Sequence, residues 1–140
     1  MNNDTIVAPA TADGKAGLSI IRVSGKQATK ICLKLTNRTL KMPIRKPILL
    51  SLFSNKNLFL DRSLVTFFKR PMSYTGEDVV EISCHGNPVI VKSIISSLCE
   101  YGARISEPGE FTMRSFLNGK MDLIQAEAVS SIVESKSILA

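Results

Sequence analysis

Tryptophan is absent from the 140 residues, tyrosine occurs twice and histidine once. One imidazole cannot supply the three or four side chains that hold a transition metal. The cysteines do not make up the shortfall: Cys32, Cys84 and Cys99 lie far apart, and no CxxC occurs. Their odd number and spacing argue against a disulfide framework and a zinc knuckle, and for a reducing cytoplasm. No apolar run approaches the ~20 residues of a membrane span. The opening MNNDTIVAPA lacks the basic flank and apolar stretch of a secretory leader. A GxxxxGK(S/T) loop is missing too, since Gly119-Lys120 has Arg114 where the first glycine belongs and Gly14-Lys15 also fails. The chain therefore carries no nucleotide-binding P-loop.

Acidic residues are missing over a long internal stretch. Between Asp13 and Asp61 there is none, against ten bases: Lys15, Arg22, Lys26, Lys30, Lys34, Arg38, Lys41, Arg45, Lys46 and Lys56. From Asp61 onward ten acids outnumber eight bases, so the net charge of +6 is gathered in the first half. Such one-sidedness attracts a polyanion such as RNA, or an anionic small molecule. A lysine-rich solvated surface has the same composition.

What is present is ordinary for a folded domain: 44% hydrophobic and 21% charged residues, in a length that buries a real core. The β-branched runs Asp4 to Ala8 and Leu18 to Val23 predict two strands joined by the loop TADGKAG. Ser24-Gly25 opens a helix over 25–36, with Lys26, Lys30 and Lys34 on a wet face and Ala28, Ile31, Cys32 and Leu35 in the core. After Pro43 and Pro47, ILLSLF (48–53) reads as a strand, and NLFLDRSLVTFF carries one or two more. A helix from Pro88 to Tyr101 shows a wide apolar stripe of Val89, Ile90, Ile94, Ile95, Leu98 and Cys99, and Gly102 stops it. ARIS is a short strand candidate. Pro108 opens a helix over GEFTMRSFL, closed by Asn118-Gly119 as a left-handed cap. Asp122 and Gln125 make a capping box for a last helix, Leu123 to Ala140, with Ile124, Ala128, Val129, Ile132 and Val133 on one side. It reaches the last residue without a stop signal, as though a longer protein continued or a partner were needed.

The stretch SYTGEDVVEISCHG (73–86) packs three carboxylates, a cysteine and the histidine into fourteen positions. Ser73 to Gly76 is a turn and Asp78 to His85 a strand. Alternation puts Val80, Ile82 and Cys84 on one face and Val79, Glu81, Ser83 and His85 on the other. Cys84 and His85 therefore point apart and form no nucleophile pair, leaving Cys84 a buried inert thiol. His85, at a strand-to-helix junction, is expected to bond backbone rather than a metal. Glu81 is the odd residue, a carboxylate among Val and Ile that is costly to bury unpaired. Either it faces solvent, or it floors a pocket and accepts two parallel N–H bonds from a ligand such as a pterin or guanine edge.

Four strings in order, DTIVA, GLSIIRVSG, SYTGEDVVEISCHG and EPGEFTMRSFLNGKMDLIQAEAV, resemble the N-terminal domain of the TrmE/MnmE family of tRNA-modification GTPases. The resemblance runs from residue 4 to the end and is weakest between about 27 and 65. It implies a fold similar to the folate-binding domains of glycine-cleavage aminomethyltransferases. That is an α+β domain with a mixed, mostly antiparallel sheet flanked by helices, ending in a long C-terminal helix that leads into a helical domain. The implied division is 1–120 for the folate-binding and dimerisation domain and 121–140 for the start of the helical domain. Arg22, Glu81 and Lys120 fall on the family's folate contacts: Glu81 would take the pterin donor edge, and Arg22 and Lys120 would hold ligand carbonyl or carboxylate oxygens. The implied cofactor is a tetrahydrofolate derivative, 5-formyl- or 5,10-methylene-. GTP, magnesium and potassium belong to a G domain that this stretch does not contain.

The implied partners are a second copy of the chain, a flavoprotein and tRNA, with no membrane, in the cytoplasm. The family adds an aminomethyl-type group to carbon 5 of the wobble uridine, with folate as carbon donor. The resemblance implies no catalytic residue and no metal ligand in this stretch, and none of its cysteines matches the family's C-terminal cysteine motif. The first loop departs from the family's PPGRGG, and CHGG is CHGN here, with Asn87 expected as a left-handed substitute. The alternative is a basic RNA-binding or assembly module with no small-molecule ligand.

Overall fold

In the computed structural model residues 4–37, 39 and 41–139 are described, those from 133 on by backbone alone. Six strands and four helices follow one another: β1 (Ile6–Pro9), β2 (Leu18–Ser24), α1 (Ala28–Lys34), β3 (Ile48–Phe53), β4 (Phe59–Phe68), β5 (Val79–His85), α2 (Pro88–Glu100), β6 (Arg104–Ile105), α3 (Glu110–Leu117) and α4 (Leu123–Leu139). The strands form one mixed sheet in the order β3-β4-β5-β2-β1-β6. Every neighbouring pair is antiparallel except β1 with β6. The α+β architecture matches the expectation.

Register and alternation together build the core. Ile21 lies opposite Ile82, and Ile82 opposite Val65, so three β-branched side chains stack across the sheet on one face. α1 covers that face with Ala28, Ile31, Cys32 and Leu35, and α2 with Ile94 and Leu98, all buried. Each such side chain contributes roughly 1.5–3 kcal/mol through removal from water. Burial also holds the Cys32 thiol up, and pushes Cys84 up to about 11, so neither is a thiolate near neutrality.

Several boundaries differ from the sequence expectation for identifiable reasons. α1 is shorter than 25–36. Gly25, at φ +142, passes so close to β1 that an added Cβ would stand 2.6 Å from the Thr5 hydroxyl, and the chain turns there before the helix can begin. NLFLDRSLVTFF, expected to hold one or two strands, carries one, the ten residues Phe59–Phe68. Val89, in the first turn of α2, is 72% exposed, and the buried side of the helix is Ile94, Ser97 and Leu98. Asn87 is extended (φ −96, ψ 125), not left-handed, and its side chain caps α2 by accepting the Val89 N–H at 2.8 Å. Gly119 carries the left-handed conformation (φ +74) at the end of α3, while Asn118 does not.

The capping box of α4 forms as expected, Gln125 N–H on Asp122 and Asp122 N–H on Gln125, at 2.7 and 2.9 Å. Its apolar stripe is not buried: Ile124 and Ile132 are exposed and Val129 half-buried. The Val133 side chain and Ala140 lie outside the described residues. No described helix is long and apolar enough to cross a membrane.

Candidate functional site

On the face away from α1 and α2, one row of the sheet reads Ala8, Arg22, Glu81, Thr66 across β1, β2, β5 and β4. Arg22 and Glu81 are direct cross-strand neighbours, and they pair: the Arg22 Nε and Nη2 both lie 3.0 Å from Glu81 Oε2. Each side chain is only about a quarter exposed (26% and 27%). Glu81 is therefore neither fully solvated nor waiting alone in a pocket; it is a half-buried carboxylate with one oxygen engaged. Its other oxygen, Oε1, has no partner among the described residues.

Two rings flank the guanidinium. Arg22 Cζ lies 5.1 Å from the centre of Tyr74 and 5.9 Å from that of Phe111, both in cation–π range. Sequence reading did not single out these aromatics. The available signal was position: Tyr74 stands in SYTGED and Phe111 in PGEFT, inside two strings of a chain poor in aromatic residues.

Tyr74 belongs to the turn 73–77, which α3 holds by polar bonds. The Tyr74 hydroxyl pairs with Thr112 at 2.9 Å, the Ser115 hydroxyl donates to the Tyr74 carbonyl at 2.6 Å, and the Asn118 amide donates to the Thr75 carbonyl at 2.8 Å. Arg114, 6% exposed, donates to both oxygens of Glu77 at 3.0 and 3.3 Å. Glu77 in turn accepts from Ser24 at 2.8 Å. Glu110 takes a forked pair from Arg104 at 3.1 and 2.7 Å, which holds its carboxyl below the usual carboxylate range. α3 is thus seated on the sheet by charge and hydroxyl groups, with Thr112, Arg114 and Ser115 as its buried residues.

Lys120 reaches the same turn from the far end of α3. Its Cγ lies so close to Gly76 that an added Cβ there would meet it at 3.2 Å, and the Asn118 Cβ at 2.8 Å. Gly76 is left-handed (φ +80) as well, so the turn needs glycine twice over. Lys120 is exposed and forms no ion pair among the described residues. The structure therefore brings Arg22 and Glu81 into contact, and joins Lys120 to them only through the Tyr74–Gly76 turn.

A cavity of about 400 Å³ adjoins this cluster. Its walls include Ala8, which neighbours Arg22 in the sheet, Phe111, which packs on Arg22, and Glu107, Gly109 and Val129. Neither Arg22, Glu81 nor Lys120 lines it directly. A second cavity, about 330 Å³, lies between the 11–14 loop and α2 and is mostly apolar.

His85 departs from its expected backbone bond. Its Nδ1 sits 2.7 Å from Asp61 Oδ1, and its backbone N–H donates to Asp61 Oδ2 at 3.0 Å, where the Ser63 hydroxyl also donates at 2.8 Å. A buried carboxylate is the strongest acceptor within reach, so it takes the ring. Burial alone would raise the Asp61 carboxyl, but the His85 N–H and the Ser63 hydroxyl outweigh it and hold it below its ordinary value. Gly86 follows, packed so tightly on the first loop that a Cβ would stand 2.2 Å from the Ala16 carbonyl. The altered TADGKAG loop thus still approaches this turn closely, through Ala16 N–H to the Gly86 carbonyl at 3.0 Å. Among the described residues no group of three metal-binding side chains gathers.

Comparison with known proteins bears on the whole chain. Residues 5–120 match the family model described as GTP-binding protein TrmE N-terminus. The chain is 51% identical over 137 residues to the tRNA modification GTPase MnmE of Francisella tularensis subsp. holarctica (strain OSU18). Over 135 residues it is 46% identical to that of Aliarcobacter butzleri (strain RM4018), and 44% to that of Sulfurovum sp. (strain NBC37-1). These alignments cover 98%, 96% and 96% of the chain but about 30% of each relative, so the chain spans less than a third of the length of the curated relatives it matches.

Proposed function

Because the chain belongs to the family of the GTP-binding protein TrmE N-terminus, we propose that it binds a tetrahydrofolate derivative and pairs with a second copy of itself. In this reading it serves a tRNA-modification GTPase that adds an aminomethyl-type group to carbon 5 of the wobble uridine. The proposed partners of the whole protein are a flavoprotein and tRNA in the cytoplasm. GTP hydrolysis would reside in a G domain, with its magnesium and potassium.

The observation that carries the folate reading is the vacant Oε1 of Glu81 beside an oxygen already engaged by Arg22. A carboxylate half withdrawn from water, with one oxygen neutralised and the other open, suits a neutral ligand edge that presents N–H donors, as a pterin does. Two rings beside the guanidinium and a cavity of about 400 Å³ sharing Phe111 give a flat heterocycle both an apolar surface and room. Arg22 would hold the carboxylate in place, with one oxygen aimed at the ligand. Lys120, exposed on a flexible stem, would meet the ligand's glutamate carboxylate. When bound, the folate would supply the one-carbon unit; this chain's residues would bind it, orient it and shield it from water.

Calorimetric titration with 5-formyltetrahydrofolate tests this. Wild type should bind, and Glu81→Ala should lose at least tenfold in affinity while melting at the same temperature. Identical titrations for the two proteins would remove Glu81 from the site.

A further inference from the structure

The acid-free segment is a second feature that the folate reading leaves unexplained. Of its ten bases only Arg22 forms an ion pair; Arg38 lies outside the described residues. The other eight, Lys15, Lys26, Lys30, Lys34, Lys41, Arg45, Lys46 and Lys56, are all exposed and have no carboxylate partner among the described residues. Every ion pair in the described structure is made by Arg22, His85, Arg104 or Arg114.

The charges are gathered rather than scattered. Lys30 and Lys34 stand four residues apart on the outer side of α1, about 6 Å along the axis and within a Debye length of ~8 Å at physiological salt, and Lys26 stands in the turn just before the helix. The end of α1 is tied to the β3–β4 turn that carries Lys56: Phe53 N–H donates to the Leu35 carbonyl at 2.7 Å, and the Asn37 amide bonds the Asn57 side chain. Met42, flanked by Lys41 and the Arg45-Lys46 pair, is buried in the same core as Cys32 of α1. The crossing from α1 to β3 therefore brings its bases out beside the helix.

Like charges at i,i+4 cost an isolated helix roughly 0.2–0.5 kcal/mol per pair. α1 is two turns long and carries one such pair, Lys30 and Lys34, with Lys26 just ahead of it and no acid anywhere in the segment to relieve them. Of the three lysines, Lys34 has a structural partner, its Nζ 5.9 Å from the centre of the Tyr101 ring, while Lys26 and Lys30 have no ion pair or ring contact among the described residues. None of the large exposed hydrophobic residues lies on α1 itself; Ile44 in the 41–46 crossing and Leu58 near Lys56 are exposed, which the vesicle measurement below tests.

We propose that the outer face of α1, with Lys56 and the 41–46 crossing beside it, is a docking surface for the phosphate backbone of RNA. The proposal deepens the tRNA reading above and rests on it. Lysines recognise phosphate as compact point charges, so the surface fixes position on RNA without reading sequence.

Filter binding or fluorescence anisotropy with an unmodified tRNA transcript, from 50 to 200 mM salt, tests it. The variants are Lys26→Glu/Lys30→Glu/Lys34→Glu, the arginine set Lys26→Arg/Lys30→Arg/Lys34→Arg, and a control reversal of equal charge, Arg62→Glu/Lys69→Glu/Lys92→Glu. Thermal melts of each monitor folding. Wild type should bind at low salt, the glutamate set should lose most of that affinity, and the arginine set should retain it. For three lost phosphate contacts, the gap between wild type and the glutamate set should narrow roughly 40-fold across that salt range. Equal loss in the control reversal would reduce the effect to net charge and overturn the surface. Wild-type affinity and salt slope in the glutamate set would overturn it while leaving tRNA as a partner. No tRNA binding by wild type at 50 mM salt would overturn both, and binding only to anionic phosphatidylserine vesicles would reassign the face to membrane. Folate titration of the same variants reports separately on the reading of Glu81.

Discussion

Two arginine–carboxylate pairs stand on the same side of this domain, and they have opposite characters. Arg114 is 7% exposed at its side chain, and its partners Glu77 and Glu110 are tied again by Ser24 and Arg104. Nothing is left over for a ligand. Arg22 is about four times as exposed as Arg114, while Glu81 and Glu77 are alike at 27% and 25%; the Arg22–Glu81 pair uses one carboxylate oxygen and leaves the other without a partner among the described residues. Identical chemistry thus yields a fastening in one place and a receptive group in the other. What separates them is how completely the neighbours satisfy each charge.

The comparison can be broken most forcefully at Arg114. Arg114→Leu removes a buried guanidinium from Glu77, which keeps only the Ser24 hydroxyl, while Glu110 keeps Arg104. With Glu77 a quarter exposed, the cost should fall near the lower end of the about 3–5 kcal/mol for breaking a buried pair. Chemical denaturation should show a loss of that size, with α3 and the 73–77 turn losing amide protection first. A loss below about 1 kcal/mol would make the network ornamental.

The next test sits at the other pair. Glu81→Gln should change stability by less than about 1 kcal/mol, as for other solvent-touched pairs, yet weaken 5-formyltetrahydrofolate at least tenfold by calorimetry. A large stability loss with unchanged affinity would reverse the assignment of the two pairs.

Acid sharpens the contrast further. Arg104 holds the Glu110 carboxyl low, and the His85 N–H and Ser63 hydroxyl do so for Asp61 against the cost of burial. A carboxylate with a depressed folded value stabilises the fold above its unfolded value and loses that contribution as pH falls through the folded one. Stability should therefore be flat above pH ~5 and fall below about pH 4. Glu110→Gln should be less stable than wild type near neutrality and show a shallower decline in acid. The smallest effect belongs to Lys120→Ala, with melting unchanged and affinity for the folate reduced a few-fold, less for a form without its glutamate tail.

Much of the fold was legible because it depends on local rules. Alternation in VVEISCH placed Val80, Ile82 and Cys84 on the core face, where they are buried, and the Asp122–Gln125 box and the Gly102 stop marked helix ends. The start of α1 was missed where a distant contact intervened: Gly25 is pressed against Thr5, twenty residues earlier, and the helix begins only at Ala28. The juxtaposition of Arg22 with Glu81 was not legible from spacing, since 59 residues separate them and only the register of β2 on β5 makes them neighbours. Nor was the Asp61 bond to His85, which requires β4 and β5 to be aligned first. The polar seating of α3 escaped for a similar reason. An amphipathic reading looks for an apolar stripe, and the buried side of this helix is Thr112, Arg114 and Ser115.

The most direct test of the division between the two arginine pairs is to follow arginine Nε–H signals in ¹⁵N-labelled protein during titration with 5-formyltetrahydrofolate. The account predicts that the Arg22 signal shifts on saturation while those of Arg104 and Arg114 stay where they are. An unmoved Arg22 signal at saturating ligand, or a shift confined to Arg114, would contradict it.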